Sequence, residues 1–235
     1  VRLPNRRALF VLAFAACGFL AIFNPRAGVP GMAVVAAAFL GIELWQRFDY
    51  RRIAEQWLHA ASRGPIVLRS PFEDEWTVSS GGPDPRHNRH AGRTDQRFGY
   101  DFVNAAGDSF DRPVIAPIAG MIAHVDMRQP DMPPGEPSKN RKRPLGNYVS
   151  IQVSRGYVIL AHLKQGSVVV RVGDTVAIGH ALARSGNSGT TRGAHVHVHA
   201  QDQPSENPEA ARAVPIAFVR MEGLDPVLLE YGDKI

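Results

Sequence analysis

The sequence predicts a mainly β protein, an antiparallel sandwich or open barrel, preceded by an N-terminal α-helical membrane hairpin. Three observations predict it. Two apolar runs flanked by arginines stand at the N-terminus, Ala8 to Phe23 and Val29 to Trp45. After residue 65 the chain breaks into short β-type runs separated by Gly, Pro, Asn and Asp. One of these runs, Gly193-Ala194-His195-Val196-His197-Val198-His199, alternates imidazole with valine.

The two apolar runs hold 16 and 17 residues and are separated by Asn24-Pro25-Arg26-Ala27-Gly28. Each sits at the short limit for crossing a hydrocarbon core of roughly 30 Å, and residues 1–46 are expected to form a transmembrane hairpin. Residues 47–65 form a connector whose Phe48, Ile53, Trp57 and Leu58 offer an apolar side at helical spacing. Residues 66–235 are the β domain. Its expected strands are Pro113–Val125, Tyr148–Val153, Tyr157–Leu163, Ser167–Val172, Ala177–Ser185 and Ala194–Ala200, and short strands at this spacing with turn signals between them argue for an all-β architecture. Cys17 is the sole cysteine, so the β domain contains no disulfide.

The chain carries a formal charge of +5, but the excess is local. Residues 1–63 contain 8 Lys/Arg and 3 Asp/Glu, which leaves 19 basic and 19 acidic residues in 64–235. A formally neutral β domain argues against a nucleic-acid partner, since the basic excess flanks the apolar spans, where it sets orientation. Lys139-Asn140-Arg141-Lys142-Arg143 lies in a Pro/Gly-rich stretch and is expected to be a solvated loop.

In a strand, alternate side chains project to one face. The 193–199 run therefore places His195, His197 and His199 on one side and Val196 and Val198 on the other. Three clustered imidazoles would repel one another if charged, and if neutral each needs a partner. A metal supplies one.

Further motifs precede this strand in a fixed order. Arg112-Pro113-Val114-Ile115-Ala116-Pro117 runs to Gly120, and Gly146-Asn147-Tyr148-Val149 leads to Ala161-His162-Leu163. Val172-Gly173-Asp174-Thr175-Val176 and Ser185-Gly186-Asn187-Ser188-Gly189 follow, and Phe98-Gly99-Tyr100-Asp101-Phe102 lies upstream. The series resembles the lysostaphin/LytM-type zinc metallopeptidases, which cut peptide cross-links in bacterial cell walls. The likeness spans about Ile66 to Gln203 and extends to Val214-Pro215-Ile216-Ala217-Phe218, similar to the family's closing strand. It implies one zinc ion per domain, with His197 and Asp101 as ligands and His162 and His195 as catalytic residues. A zinc with three protein ligands keeps one position open for water.

One position departs from the family pattern. The family usually has a ligand His four residues before the Asp, where this chain has Arg97, and a guanidinium does not ligate zinc. Either the imidazole comes from Arg86-His87-Asn88-Arg89-His90 or the site is degenerate. Asn88-x-His90 followed by Gln96-Arg97-Phe98 and Asp101-Phe102 resembles a subgroup of the family, which favours His90 as the third ligand. His87 is the weaker candidate. Asn88 is expected to contact the metal or orient a ligand, Arg97 to support a ligand from behind or meet a substrate carboxylate, and His199 to orient a ligand by hydrogen bonding. His59, His124 and His180 read as ordinary surface or strand residues.

The resemblance implies a membrane-anchored zinc endopeptidase acting on peptidoglycan cross-links or stem peptides. The rival reading is a catalytically degenerate domain of the same fold that binds cell wall or regulates another hydrolase. A biotinyl/lipoyl-type carrier is disfavoured, because no Met-Lys pair exists to be modified. The implied function puts the β domain on the envelope side of a bacterial cytoplasmic membrane. Arg2, Arg6 and Arg7 before the first span and Arg47, Arg51 and Arg52 after the second favour a cytoplasmic C-terminus instead.

Overall fold

Short strands, the central ones buried on both faces, build the main sheet of the protein, seen in a computed structural model that describes residues 28–62, 64–204, 211–219 and 225–235. The chain divides into two compact units, Val1–Arg52 and Ile53–Ile235. In chain order the elements are the helix α1 (Gly28–Ser62), then β1 (Ile66–Leu68), β2 (Trp76–Ser80), β3 (Tyr100–Asn104), β4 (Pro113–Ile115), β5 (Gly120–Asp126) and β6 (Ser138–Lys139). They continue with β7 (Asn147–Val153), β8 (Gly156–Leu163), β9 (Thr175–Val176), β10 (Ala181–Arg184), β11 (Thr190–Thr191), β12 (Val196–Gln201), β13 (Ala213–Val214) and β14 (Ile216–Phe218).

The first expected span, Ala8 to Phe23, lies outside the described residues. The second falls in α1, which runs on through the expected boundary at residue 46 to Ser62. No Gly or Pro stands between Trp45 and Ser62 to stop it. Among the described residues no helix is long and apolar enough to cross a membrane. Of the expected apolar side of the connector, Trp57 is buried and joins the core of its own unit, whereas Leu58 is exposed.

Eight strands form one antiparallel sheet in the order β2-β3-β12-β8-β7-β5-β9, with β13 pairing beside β12. Sequence-distant strands meet at its centre. β12 pairs with β3 so that His197 faces Asp101, and with β8 so that His197 faces Ala161. Small two-stranded sheets surround it: β10 with β4, β11 with β6, and the parallel pair β1 with β14.

One face of the sheet carries the core. Val78, Tyr100, Phe102, Val149, Ile151, Val158, Leu160, Val196 and Val198 are buried there with Leu68, Trp76 and Phe218, each large side chain contributing about 1.5–3 kcal/mol. The opposite face holds Asp101, His197, His199 and Gln201. Three expected strands differ. Ala177–Ser185 narrows to β10, Ala181–Arg184, behind a turn at Gly179. Pro113–Val125 is split between β4 and β5 around Pro117, which has no N–H to donate. Ser167–Val172 forms no ladder, for Val169 and Val172 are exposed and the segment is tied to β10 through the Val169 N–H to Leu182 O bond.

Candidate metal centre and catalytic site

Asp101 anchors the site. Tyr100 and Phe102 on either side are core residues, so alternation turns the Asp101 carboxylate to the opposite face. Register does the rest. Because Asp101 lies directly across from His197, the His197 Nδ1 atom reaches Asp101 Oδ1 at 2.8 Å. Both side chains are buried. Gly99 allows this packing, for a Cβ there would lie 2.9 Å from His197 Cε1 and 3.1 Å from His199 Cβ.

The third donor comes from an irregular loop, residues 81–99. His90 Nε2 lies 2.9 Å from Asp101 Oδ1, and its ring centroid is 4.4 Å from that of His197. Donor atoms of His90, Asp101 and His197 all fall within 4.8 Å of one another. The buried Asn88 shapes this loop: its amide nitrogen donates to Gly82 O (2.8 Å) and Arg97 O (3.0 Å), and its Oδ1 accepts from the His90 backbone N–H (2.9 Å). Asn88 thus holds the backbone of His90 in place, and its amide oxygen is turned to that N–H. Trp57 Nε1 donates to the same Arg97 carbonyl at 3.1 Å, and its ring meets Phe98 edge-on.

Arg97 reaches the site through its backbone. Its Nε points back to Arg93 O at 3.4 Å, and Arg93 pairs with Asp95. The ionic partners found for Asp101 are imidazoles: His90, His197 and, at 3.7 Å, His195. His87 stands apart, exposed and stacked on Tyr231. Tyr100 is a core residue whose hydroxyl donates to Leu229 O.

His162 enters the site by breaking the strand pattern. In β8, Val158 and Leu160 face the core while Ile159 and Ala161 face away, so strict alternation would bury His162 in the core. His162 instead has φ +62, a left-handed conformation rare for a residue with a side chain. The turn at this residue swaps the faces. Leu163 joins the core, and the His162 ring lies 4.6 Å from that of His195 and 5.9 Å from that of His197. Such conformations cost of order 1–3 kcal/mol and cluster at functional sites.

The Ser185–Gly189 segment holds His162 there. Ser188 O accepts from His162 Nδ1 at 2.8 Å, and Ser188 Oγ is fixed between Asn147 N–H and Leu163 O. Asn187 donates to the carbonyls of Met132, Pro133 and Glu136, while Asp131 accepts from the Asn187 backbone N–H. The basic loop is solvated at Arg141, Lys142 and Arg143, as expected, yet pinned at its root, where Ser138 Oγ donates to Gly189 O. His195 Nδ1 is bonded to Gly193 O at 2.8 Å. A carbonyl oxygen only accepts, so His162 and His195 both carry their proton on Nδ1 and keep a lone pair on Nε2.

Electrostatics suit a cation. Burial would raise the Asp101 carboxyl, but the facing imidazoles of His90 and His195 and hydrogen bonds from His197 and His90 outweigh it and hold Asp101 well below the usual carboxylate range. Burial lowers His197 to about 3, reinforced by His90 and only partly offset by Asp101. His199 is also lowered by burial to about 3, against the bond to Gln201, and His162 is pushed well down by burial and by His195 and His197. An ionised carboxylate thus stands beside His162, His197 and His199, which burial keeps neutral, the state in which carboxylate and imidazole act as zinc donors.

His199 and Gln201 extend the histidine row. His197 Nε2 lies 3.0 Å from His199 Nδ1, and His199 Nε2 lies 3.1 Å from Gln201 Oε1. Gln201 and Ser188 were not predicted as site residues. Gln201 continues the i, i+2 row from His197, a signal present in the sequence.

Residues 96–208 match the model of peptidase family M23. The match includes Asp101, His162, His195 and His197 and begins after His90. An uncharacterized metalloprotease of Buchnera aphidicola subsp. Baizongia pistaciae is 27% identical over 141 residues, 60% of this chain and 32% of that protein. The chain thus spans about a third of that relative's length. Among solved structures, the catalytic domain of a point mutant of the prophage-encoded M23 protein EnpA from Enterococcus faecalis is 19% identical. The likeness covers 63% of this chain and 93% of that one, with a TM-score of 0.43. The catalytic domain of lysostaphin from Staphylococcus simulans is 21% identical over 49% of this chain and 73% of its own, with a TM-score of 0.35. Through residues 96–208 of its β domain, the chain is similar to peptidase family M23.

Proposed function

We propose that this chain is a membrane-attached zinc metalloendopeptidase that hydrolyses peptide bonds of peptidoglycan, in its cross-links or stem peptides. The observation that carries the reading is the convergence of one donor atom each from His90, Asp101 and His197 within 4.8 Å, beside the imidazoles of His162 and His195. Two imidazole nitrogens and one carboxylate oxygen are the donor types of a three-ligand catalytic zinc site. Zinc held there supplies a Lewis acid and lowers the pKa of water.

The chain's own residues do the remaining work. His195 and His162 hold Nε2 lone pairs toward the site, one to accept a proton from the attacking water and one, once protonated, to donate to the tetrahedral oxyanion or the leaving amine. Ser188 O and Gly193 O stabilise the imidazolium as it forms, since their hydrogen bonds to Nδ1–H strengthen with charge. Membrane attachment is supported by the apolar run Ala8 to Phe23 and by the flanking arginines, and an envelope-side β domain by the nature of the substrate.

The test is zinc content together with fragment release from purified peptidoglycan, measured on the full chain. About one zinc per chain and release of peptides bearing new amino termini is the expected result. A folded chain with neither moves the protein to the wall-binding or regulatory class. Zinc and hydrolysis of unrelated peptides without action on peptidoglycan would keep the peptidase and overturn the substrate.

A further inference from the structure

We infer that Trp57 is a positioning residue for the metal site: from the last turns of α1 it grips the 96–99 turn, on which the donors His90 and His197 both depend. This inference rests on the zinc site proposed above.

Residues 53–62 of α1 fall in the same compact unit as the β domain. Among the described residues of that stretch Trp57 is the one that is fully buried, at 2% exposure, with Ala60 packed beside the core, while Glu55, Gln56, Leu58 and His59 are exposed. One large side chain therefore carries this end of the helix. Filling a core requires only an apolar residue. An indole brings a ring N–H as well, which must find an acceptor once buried, and here that acceptor is Arg97 O at 3.1 Å.

Two routes lead from Trp57 to the donor atoms. The first is polar. The Arg97 carbonyl also accepts from the Asn88 amide at 3.0 Å, and Asn88 Oδ1 accepts from the His90 N–H at 2.9 Å. Trp57 thus fixes the carbonyl against which Asn88 aligns the backbone of His90. The second route is steric. The Trp57 ring meets that of Phe98 edge-on with centroids 5.5 Å apart, and the next residue, Gly99, closes the turn by donating its N–H to Gln96 O at 2.8 Å. Gly99 packs on His197, for a Cβ there would lie 2.9 Å from Cε1. The loop has other ties, Arg89 N–H to Ser80 Oγ at 3.0 Å and Ala213 N–H to Thr94 O at 2.8 Å, but these secure residues 89–94. Trp57 holds the turn itself.

Both routes converge on the geometry that brings the three donors together, so docking of the helix end and closure of His90 and His197 on a cation favour each other. Linkage makes that coupling reciprocal. Loss of the Trp57 grip weakens metal binding, and a bound metal tightens the helix end.

The experiment uses the full chain in detergent and two measurements, zinc affinity by competition with a chelator and amide hydrogen exchange read residue by residue. Trp57→Phe keeps a ring against Phe98 and removes the donor. It is expected to weaken zinc binding roughly three- to tenfold, the scale of one hydrogen bond, and to speed exchange of the His90 and Gly99 amides in the metal-free protein while β7 and β8 keep their rates. A residue that merely fills the core would loosen the whole domain and leave the zinc affinity of the folded chain unchanged. In the wild type, zinc is expected to slow exchange along residues 53–60.

Folded Trp57→Phe with wild-type affinity and wild-type exchange at His90 and Gly99 overturns the positioning role. A zinc-loaded wild type whose helix end exchanges as fast as in the metal-free chain overturns the coupling, and this reading needs no variant to fold. A wild type that binds no zinc overturns the zinc site itself; selective loosening of His90 and Gly99 in metal-free Trp57→Phe then upholds the grip on the turn, and unchanged exchange there overturns it.

Discussion

Asp101 and His197 reach the site on paired strands, and His90 reaches it on a loop. The difference separates two ways in which a fold places a donor atom. On the strands, the register between β3 and β12 sets the two donor atoms 2.8 Å apart, and the same valines and aromatics that fill the core fix which way each side chain points. On the loop no period operates. His90 is held by Asn88, which binds its backbone N–H, and by two donors on the Arg97 carbonyl, Asn88 and Trp57. The proposed ligand that departs from the family pattern is thus the one whose position depends on individual hydrogen bonds.

The largest effect should come from removing a ligand of either kind. His197→Ala and His90→Ala are both expected to abolish stoichiometric zinc and, with it, peptidoglycan hydrolysis, measured on the same preparations by metal analysis and fragment release. Retention of zinc in His90→Ala would remove the loop from the comparison. His195→Ala should behave differently, keeping its zinc while hydrolysis falls on the order of 10²–10⁴-fold, as for loss of a proton-transfer group.

The supports of each kind come next. Asn88→Ala leaves the Arg97 and Gly82 carbonyls and the His90 N–H short of a partner, at a cost of about 1–3 kcal/mol, and should weaken zinc binding roughly ten- to a hundredfold. On the strand side, Gly99→Ala drives a Cβ against His197 Cε1 and His199 Cβ, where overpacking costs about 1–3 kcal/mol. Thermal unfolding and chelator competition measure both. Asn88→Ala should lose relatively more affinity than stability, because His90 is partly exposed, whereas Gly99→Ala presses on a fully buried row.

The same contrast explains what the sequence made legible. Alternation in the 193–199 run revealed the faces of β12 from pattern alone, since Val196 and Val198 could only be core and the histidines had to lie opposite. Asp101 was reached through the family resemblance, and the core positions of Tyr100 and Phe102 explain why its carboxylate faces the site. His90 was reachable through the spacing of its motif, while the role of Asn88 as a backbone clamp needed the loop conformation. His162 shows the limit most clearly, because period two assigns it to the core and only its left-handed backbone turns it into the site. The helix α1 runs on through residue 46 because hydropathy changes there while helix propensity does not. Val169 and Val172 have strand character but lack ladder partners, a tertiary fact that local composition does not encode.

Acid should weaken the strand side before the carboxylates of the protein titrate. His197 and His199 have folded values of about 3 against an ordinary 6.5, and His162 is also lowered. The unfolded chain therefore binds more protons in the window between those values, so stability rises with pH there and is lost as pH falls below about 6.5. Each neutral imidazole costs roughly 1 kcal/mol between about pH 6.5 and 5.5. The metal-free chain should lose several degrees of unfolding temperature over that unit. Asp101 acts in the same direction at lower pH, contributing stability above the unfolded carboxyl value and losing it as pH falls toward its depressed one. A flat profile from about pH 7 to 5.5 would mean that the buried row takes up protons as it does in the unfolded chain, and stability rising with acid would mean that it is already protonated at pH 7.

Arg97→Ala should have the smallest effect, although it changes the residue at the position where the family pattern places a ligand. What the site takes from residue 97 is its carbonyl oxygen, bound by Asn88 and Trp57, and alanine supplies the same oxygen. The guanidinium makes a single long bond to Arg93 O and touches none of the donor atoms. Zinc stoichiometry should be unchanged and stability should move by no more than about 0.5 kcal/mol, as for a substitution away from any special feature. If the side chain meets a substrate carboxylate, the effect will appear as a raised KM at constant zinc content. Loss of zinc from a folded Arg97→Ala would instead show that the loop ligand depends on this side chain as much as on Asn88, and the division between backbone clamp and spectator arginine would have to be redrawn.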